Sequence, residues 1–132
     1  MKTKIKNSKI KVLLLITGSI AAVRIPLLVS QLVKENYEIR CVLSKNAEKL
    51  IKPLSLSILS RNPCILENDQ WSNSQSTPLH IELSNWADIL IIAPLTATTL
   101  AKWVTGNAEG LIPSILIAVS YTHLTLPTTS FV

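Results

Sequence analysis

The stretch KIKVLLLITGS, residues 9–19, decides the fold of this chain. Its apolar part predicts a strand over residues 9–16, because an uninterrupted aliphatic run is typical of a strand buried on both faces of a parallel sheet. The corner at 17–19 turns the chain, and residues 20–34 have the spacing of a helix. A second strand, EIRCVL at 38–43, follows. This order predicts a βαβ unit with parallel strands and a right-handed crossover.

The remainder of the chain continues the alternation of helices and strands. Polar residues predict a loop over 61–78, whereas WADILIIAP at 86–94 is the clearest candidate for a buried strand. Helical segments are predicted at 46–51, 54–59, 96–104 and 111–118. We therefore expect the α/β class: a Rossmann-like (flavodoxin-like) parallel sheet with helices on both faces, incomplete at its C-terminal side.

The composition agrees with one globular domain. The chain has 132 residues, of which 48% are hydrophobic and 16% are charged, so intrinsic disorder of the whole chain is excluded. The longest apolar runs, such as residues 12–16, are far shorter than the roughly 20 residues that span a bilayer. We expect neither a membrane span nor a membrane partner.

The net charge of +5 belongs to the start of the chain rather than to a folded face. The excess comes from five lysines: Lys2, Lys4, Lys6, Lys9 and Lys11. No aromatic residue lies among them, so we predict a basic, disordered tail over 1–8 and no nucleic-acid partner. Lysines followed by an apolar run also resemble a secretory signal, but the polar corner at 17–19 interrupts that run early.

Cysteine usage indicates the compartment. Cys41 and Cys64 are the two cysteines of the chain, and they lack C-x-x-C spacing. This pattern fits a reducing environment better than a disulfide framework, so we expect a cytoplasmic protein. Cys41 lies in the predicted second strand, and we interpret it as a packing residue.

Residues 119–132 differ from what precedes them. The segment VSYTHLTLPTTSFV carries no charge and has neither a clean strand alternation nor a helical stripe. A doubly wound sheet also needs more strands than the preceding residues supply. We therefore predict a domain over 9–118 that is truncated there, followed by an atypical, non-native tail over 119–132.

Three corners of the predicted fold contain small or hydroxyl-bearing residues. They are Thr17-Gly18-Ser19-Ile20, Ser44-Lys45-Asn46 and Pro94-Leu95-Thr96-Ala97-Thr98-Thr99. Such corners lie at the carboxyl ends of parallel strands, where free N–H groups at helix N-termini favour a phosphate. Ordinary helix caps would explain each corner taken singly. Because no G-x-G-x-x-G is present and no acid ends the second strand, a mononucleotide fits better than NAD.

His80 is the candidate acid or base. It follows the polar loop, and an imidazole can exchange protons near neutral pH, although a solvated surface histidine explains the same position. His80 and Glu82 make a poor metal pair, since no further His or Cys lies at ligand spacing; no metal is predicted. Three tryptophans are interpreted as core or interface anchors: Trp71, Trp86 and Trp103.

Four segments together carry a specific combination of motifs: TGSIAAVRIP, VLSKNAEKLIKPLSL, HIELSNWADILIIAP and LTATTLAKWVTG. They resemble the flavin-binding half of phosphopantothenoylcysteine decarboxylase, over about residues 9–118. That family catalyses the FMN-dependent decarboxylation of 4'-phospho-N-pantothenoylcysteine to 4'-phosphopantetheine in coenzyme A biosynthesis. The resemblance therefore implies a carboxy-lyase with FMN as its cofactor.

The resemblance also implies roles for individual residues. It implies that FMN contacts Gly18, Ser19, Ile20, Ser44, Lys45, Asn46, Thr96, Ala97, Thr98 and Thr99. It implies that His80 is the catalytic base beside the substrate thiol and carboxylate. It further implies a homotrimer or higher oligomer, and a phosphopantothenate–cysteine ligase, fused or separate, as partner. An exposed Trp103 or an exposed face at 111–116 would suit a subunit interface.

The chain departs from the family pattern in several places. The pattern next needs a strand ending in Pro-Ala-Met-Asn and, later, a lid bearing a cysteine; neither occurs in this sequence. Thr98 stands where many relatives have Asn, and Glu109-Gly110 stand where an acidic-Asn pair is common. The first departure bears on turnover and the others on flavin affinity. We expect the chain alone to be inactive or to bind FMN weakly.

Three alternatives stay open. One is a flavin prenyltransferase-like flavoprotein, although the first corner typical of that family is richer in glycine than Thr17-Gly18-Ser19-Ile20. Another is a non-catalytic flavin-binding regulatory subunit, against which the presence of His80 argues only mildly. The third is a non-functional fragment, which the composition of 119–132 supports.

Overall fold

The central strand, β1 (Lys11–Ile16), pairs with a neighbour on each side. The computed structural model describes residues 8–71 and 77–123, with side chains described through 120. Its sheet has four parallel strands in the order β3-β2-β1-β4. The other strands are β2 (Glu38–Leu43), β3 (Ile65–Leu66) and β4 (Ile89–Ile92). The predicted parallel α/β sheet is confirmed.

Helices cover both faces of the sheet. They are α1 (Ile25–Lys34), α2 (Pro53–Ser60), α3 (Leu79–Trp86), α4 (Ala97–Thr105) and α5 (Leu111–His123), with 3-10 helices at Ile20–Arg24, Ala47–Lys49 and Glu67–Trp71. Because side chains alternate along β1, Leu14 packs with α1 and α2 on one face, whereas Leu13 and Leu15 pack with α3 and α5 on the other. The predicted two-faced arrangement is therefore confirmed.

The predicted helix over 20–34 divides into two. A 3-10 helix occupies Ile20–Arg24, and α1 begins at Ile25. Pro26 lies in the first turn of α1, where its missing N–H removes no intrahelical hydrogen bond. Asn36 follows the helix with a left-handed φ of 73°, a conformation that asparagine tolerates.

The prediction of an uninterrupted loop over 61–78 was wrong. β3 pairs with β2 through Val42↔Ile65 and Leu43↔Leu66, and the 3-10 helix Glu67–Trp71 follows it directly. A strand of two residues is too short to show a period, so the polar residues around it dominate the pattern. Residues 72–76 of the predicted loop lie outside the described residues.

The predicted strand over 86–94 is shorter and less buried than expected. Trp86 ends α3, and β4 begins only at Ile89, which is 42% exposed. Within the described residues β4 is an edge strand, paired on one side with β1. The Trp86 indole lies instead beneath the cations of Arg40 and Lys11, at 5.1 and 5.9 Å from the ring centroid.

The helix predicted over 111–118 continues to His123 as α5. The predicted division at residue 118 therefore falls inside a helix and stays a prediction, while residues 1–7 and 124–132 of the two predicted tails lie outside the described residues. Residues 111–116 do not form the exposed face that would suit a subunit interface. Leu111, Ile112, Ile115 and Leu116 are buried in the core that α5 forms with the sheet. Trp103 packs there too, and its Nε1–H donates to Ser120 Oγ at 2.9 Å.

Neither cysteine is ionised at neutral pH. Burial raises the pKa of Cys41 to about 12, with a smaller contribution from Cys64. Burial likewise raises the pKa of Cys64 to about 12, with smaller contributions from Glu48 and Asp69. Cys41 is fully buried, as expected of a packing residue. Across residues 8–71 and 77–123, no helix has the length and apolar character needed to cross a membrane.

Candidate functional site at the switch point of the sheet

The strand order places the reversal of the chain beside β1. From β1 the chain runs outward to β2 and β3, and it then returns to pair β4 with the other edge of β1. Ligands of parallel α/β sheets bind at the carboxyl ends of the strands, where the direction of winding changes. A cleft of about 530 Å³ opens at this point, and part of its wall comes from residues 17, 18, 44–46, 96, 98 and 99 of the three corners.

Thr17 joins the corners that follow β1 and β4. Its side chain is 1% exposed, and its hydroxyl donates a hydrogen bond to the carbonyl oxygen of Pro94. The hydroxyl oxygen of Thr17 in turn accepts the N–H of Thr96 at 3.1 Å. Because both bonds cross between the two strand ends, Thr17 fixes the third corner relative to the first.

Gly18 brings the first and second corners into contact. A Cβ added to Gly18 would overlap the Cβ of Asn46 and lie 3.0 Å from the Asn46 carbonyl carbon. Ser44 ties the second corner to β1, since its N–H donates to Ile16 O at 3.0 Å. Its hydroxyl accepts the N–H of Ala47 at 3.2 Å and caps the 3-10 helix there. Only glycine at position 18 permits the first and second corners to lie this close together.

The third corner presents the N-terminus of α4 to the cleft. Thr96 is its N-cap, and Thr96 Oγ1 accepts the N–H of Thr99 at 3.3 Å. The first intrahelical bond is that of Leu100 N–H to Thr96 O, at 3.0 Å. Among the described residues no acceptor engages the N–H groups of Ala97 and Thr98, so this end of the helix can receive an anion.

The 3-10 helix Glu67–Trp71 forms another part of the wall. Glu67 Oε2 accepts the N–H of Leu111 at 2.9 Å and the Nε2–H of Gln70 at 3.2 Å, which holds the start of α5 at the cleft. Gly110 makes this contact possible. Its φ is +106°, and a Cβ at that position would lie 3.3 Å from Glu67 Oε2.

Charges of both signs line the cleft. Within residues 8–71 and 77–123, its cations are Lys45 and Lys102, and its carboxylates are Glu67 and Glu109. Lys102 Nζ donates to the backbone carbonyl oxygen of Glu109 at 3.4 Å. This bond does not involve the Glu109 carboxylate. Lys45 belongs to the second corner, and Lys102 lies in α4, the helix that follows the third corner. Their positive charges favour an anionic group of the ligand beside these two corners.

The structure brings most of the predicted binding residues together. Those that line the cleft are Gly18, Ser44, Lys45, Asn46, Thr96, Thr98 and Thr99. Ser19, Ile20 and Ala97 neighbour them in the chain but are not lining residues. Ser19 Oγ instead accepts the N–H of Ala21 at 3.3 Å, and the Ile20 side chain is 74% exposed.

His80 lies in the first turn of α3 and is half-buried. It is not among the residues that line the cleft. Its carbonyl oxygen accepts the hydroxyl of Ser84 at 2.7 Å. The helix that carries it, α3, contacts the 3-10 helix Glu67–Trp71, which is an element of the cleft wall.

Several residues that line the cleft were not predicted from the sequence. Thr17 was placed in the first corner, but its role as a bridge requires the return of β4 beside β1. The wall at Glu67–Trp71 was missed because β3 was not predicted. The apolar pair Ile65-Leu66 is followed by polar residues, which repeats the pattern of a strand followed by a corner seen at the three predicted corners. This pattern is the signal from which the wall could have been predicted.

Comparison with known proteins decides the family. The family model described as flavoprotein matches residues 1–126. The chain belongs to the flavoprotein family. A flavin is therefore the kind of cofactor to be fitted to the cleft.

Relatives of this flavoprotein include decarboxylases. It is 35% identical over 109 residues to the probable phosphopantothenoylcysteine decarboxylase of Streptococcus mutans, covering 83% of this chain and 60% of that protein. A phosphopantothenoylcysteine decarboxylase mutant solved in complex with pantothenoylaminoethenethiol is 35% identical, with a TM-score of 0.73 over 87% of this chain and 63% of that one. The FMN-binding protein AtHal3 is 35% identical, with a TM-score of 0.72 over 87% and 62%. The flavoprotein thus spans less than two thirds of the length of each.

Gly18→Ala should weaken flavin binding as well as lower the stability of the flavoprotein. The added methyl group overlaps Asn46, so the second corner must move. We expect a loss of about 1–3 kcal/mol in the free energy of unfolding, together with weaker flavin binding. Urea denaturation and flavin absorbance titration measure the two effects.

Gly106→Ala is the matched control. Gly106 has a φ of +74°, but nothing lies within 4 Å of an added Cβ, so this substitution strains the backbone away from the cleft. It should lower stability without changing flavin affinity. Equal losses of flavin affinity in the two variants would contradict the role given to Gly18.

Proposed function

We propose that this flavoprotein binds FMN in the cleft and serves the decarboxylation of 4'-phospho-N-pantothenoylcysteine to 4'-phosphopantetheine in coenzyme A biosynthesis. One observation carries the proposal: three corners from separate strand ends converge on one cleft and offer it hydroxyl and N–H groups. A single corner would be explained by helix capping. Convergence of three is explained by a shared ligand.

The residues present fit the phosphate of FMN. Thr98 is exposed and lines the cleft, and its N–H and that of Ala97 precede the first intrahelical bond of α4. Thr99 Oγ1 lies 3.1 Å from Thr96 Oγ1, so a pair of hydroxyls lies at the same helix end. Lys45 and Lys102 add positive charge. N–H groups, hydroxyls and cations together are the donor set that a phosphate dianion requires.

The cleft has the size of a small-molecule site. Its volume of about 530 Å³ lies within the range of roughly 300–1,000 Å³ for small-molecule sites. Gly18 and Asn46 close the gap between the first two corners and would bound the ligand on that side. When bound, FMN would accept and return the electrons that permit loss of the cysteinyl carboxylate as CO₂. The protein binds and orients the reactants and holds the proton acceptor.

Names of the relatives support this cofactor and substrate. The Streptococcus mutans protein is named a probable phosphopantothenoylcysteine decarboxylase, and one solved decarboxylase mutant was complexed with pantothenoylaminoethenethiol. AtHal3 is titled an FMN-binding protein. In the proposal, the corners of this chain hold FMN through Gly18, Ser19, Ile20, Ser44, Lys45, Asn46, Thr96, Ala97, Thr98 and Thr99.

His80 is proposed as the base of this reaction. The assignment rests on the resemblance of the HIEL segment, supported by the position of His80 in the first turn of α3. Helices that lead into parallel strands begin at the carboxyl edge of the sheet, which is the edge where the corners lie. An imidazole there would accept a proton from the substrate thiol near neutral pH.

We also propose an oligomeric state, a compartment and a partner enzyme. They are a homotrimer or higher oligomer, the cytoplasm, and a phosphopantothenate–cysteine ligase, fused or separate, that supplies the substrate. These parts rest on the family resemblance. Exposed apolar side chains such as Leu27, Leu54 and Val104 offer surface for contacts between subunits, in place of the buried face at 111–116.

Thr98→Val tests the phosphate end of the site. A hydrogen bond to a charged group contributes roughly 1.5–3 kcal/mol, so FMN affinity should fall by about tenfold or more. Affinity for riboflavin, which lacks the phosphate, should not change. Thr105→Val is the control, since Thr105 lies at the far end of α4 and its hydroxyl bonds to Ala101 O. Equal losses for riboflavin and FMN would contradict the assignment.

His80→Asn tests the base. The rate of CO₂ release from phosphopantothenoylcysteine should fall by at least about 100-fold, because the proton acceptor is lost, while FMN stays bound. The assay uses the chain joined to the C-terminal part of its Streptococcus mutans relative, since the chain covers 60% of that protein. Asn85→Ala, an exposed change on the same helix, should leave the rate unaltered. An undiminished rate in His80→Asn would remove its role.

A further inference from the structure

Trp71 is exposed at the mouth of the cleft. Its side chain is 73% exposed, and it is the one aromatic residue among those that line the cleft in the described part of the chain. The other tryptophans have packing partners: Trp86 lies beneath Arg40, and Trp103 packs in the core beside α5. Trp71 therefore does not fit the interpretation of a core anchor.

An indole in this position needs a partner that the described fold does not supply. Aromatic side chains bury about 150–250 Å² when they are covered, and this burial is a large part of their contribution to stability. Trp71 forgoes it, although it ends a 3-10 helix whose first residue, Glu67, is anchored to the N-terminus of α5. The anchoring holds Trp71 at the cleft wall.

The rest of the cleft is poor in apolar surface. Its corners present hydroxyls, amides and lysines, and its other large apolar residue, Ile112, is 2% exposed. Among the residues that the structure describes, a ligand with a charged end and a flat, apolar end would thus find donors at the N-terminus of α4 but only one broad apolar surface. That surface is the face of the Trp71 indole.

We propose that Trp71 stacks on the isoalloxazine ring of the flavin and sets the orientation of the ring in the cleft. This inference rests on the proposed binding of FMN. Offset stacking of aromatic rings adds to the energy of simple burial, and the indole offers a larger face than any other side chain. The phosphate end fixes where FMN binds, and Trp71 fixes how its ring lies.

Fluorescence titration of the 132-residue chain with FMN tests the inference. An indole in contact with a flavin quenches the fluorescence of the flavin by electron transfer. The emission of FMN should therefore fall strongly when FMN binds to the wild-type chain. In Trp71→Leu, the Kd for FMN should rise about two- to tenfold and the emission of bound FMN should increase. Trp71→Phe, which keeps a ring, should bring the Kd back to within about twofold of wild type.

Ile58→Ala is the matched control, because Ile58 is 66% exposed and does not line the cleft. It should change neither Kd nor emission. If wild type binds FMN but Trp71→Leu leaves both quantities unchanged, this inference is overturned and the proposed function stands. If wild type does not bind FMN, both fall. A change of sedimentation coefficient in Trp71→Leu with unaltered FMN binding would also overturn it, because Trp71 would then belong to a contact between subunits.

Discussion

Pairing of β1 with strands on both of its edges is the constraint on which the molecule depends. The ladder runs from Lys11↔Glu38 to Ile16↔Leu43 on one side and from Val12↔Ile89 to Leu15↔Ile92 on the other. Since all three strands point the same way, their carboxyl ends arrive at one edge. The apolar run that makes β1 buried on both faces therefore also determines where the loops meet.

Short-range contacts then turn neighbouring loops into a site. Thr17 bonds across to the corner after β4, and Gly18 allows the corner after β2 to approach. Ser44 and Thr96 use their hydroxyls as helix caps, so they order the corners and leave the first N–H groups of α4 available. The same residues thus serve both stability and binding, which is why capping and ligand contact could not be separated in the sequence.

Periodicity predicted the parts of the fold that are long and apolar. β1, β2 and α4 follow directly from local patterns. β3 escaped because two residues carry no period, and the start of β4 was placed too early because Trp86 is apolar but packs against Arg40. The corners were predicted because strand ends need no tertiary information. Thr17 as a bridge and Glu67 as an anchor depend on which strands become neighbours, and a single sequence does not state this.

The central claim is that one flavin mononucleotide contacts all three corners at once. Backbone amide chemical shifts of the isotope-labelled chain, recorded during titration with FMN, test it most directly. The account predicts that the amides of Gly18, Asn46 and Thr98 shift together and follow one saturation curve. Shifts confined to a single corner, or centred on the cavity at the opposite edge beside Tyr37 and Arg61, would contradict it.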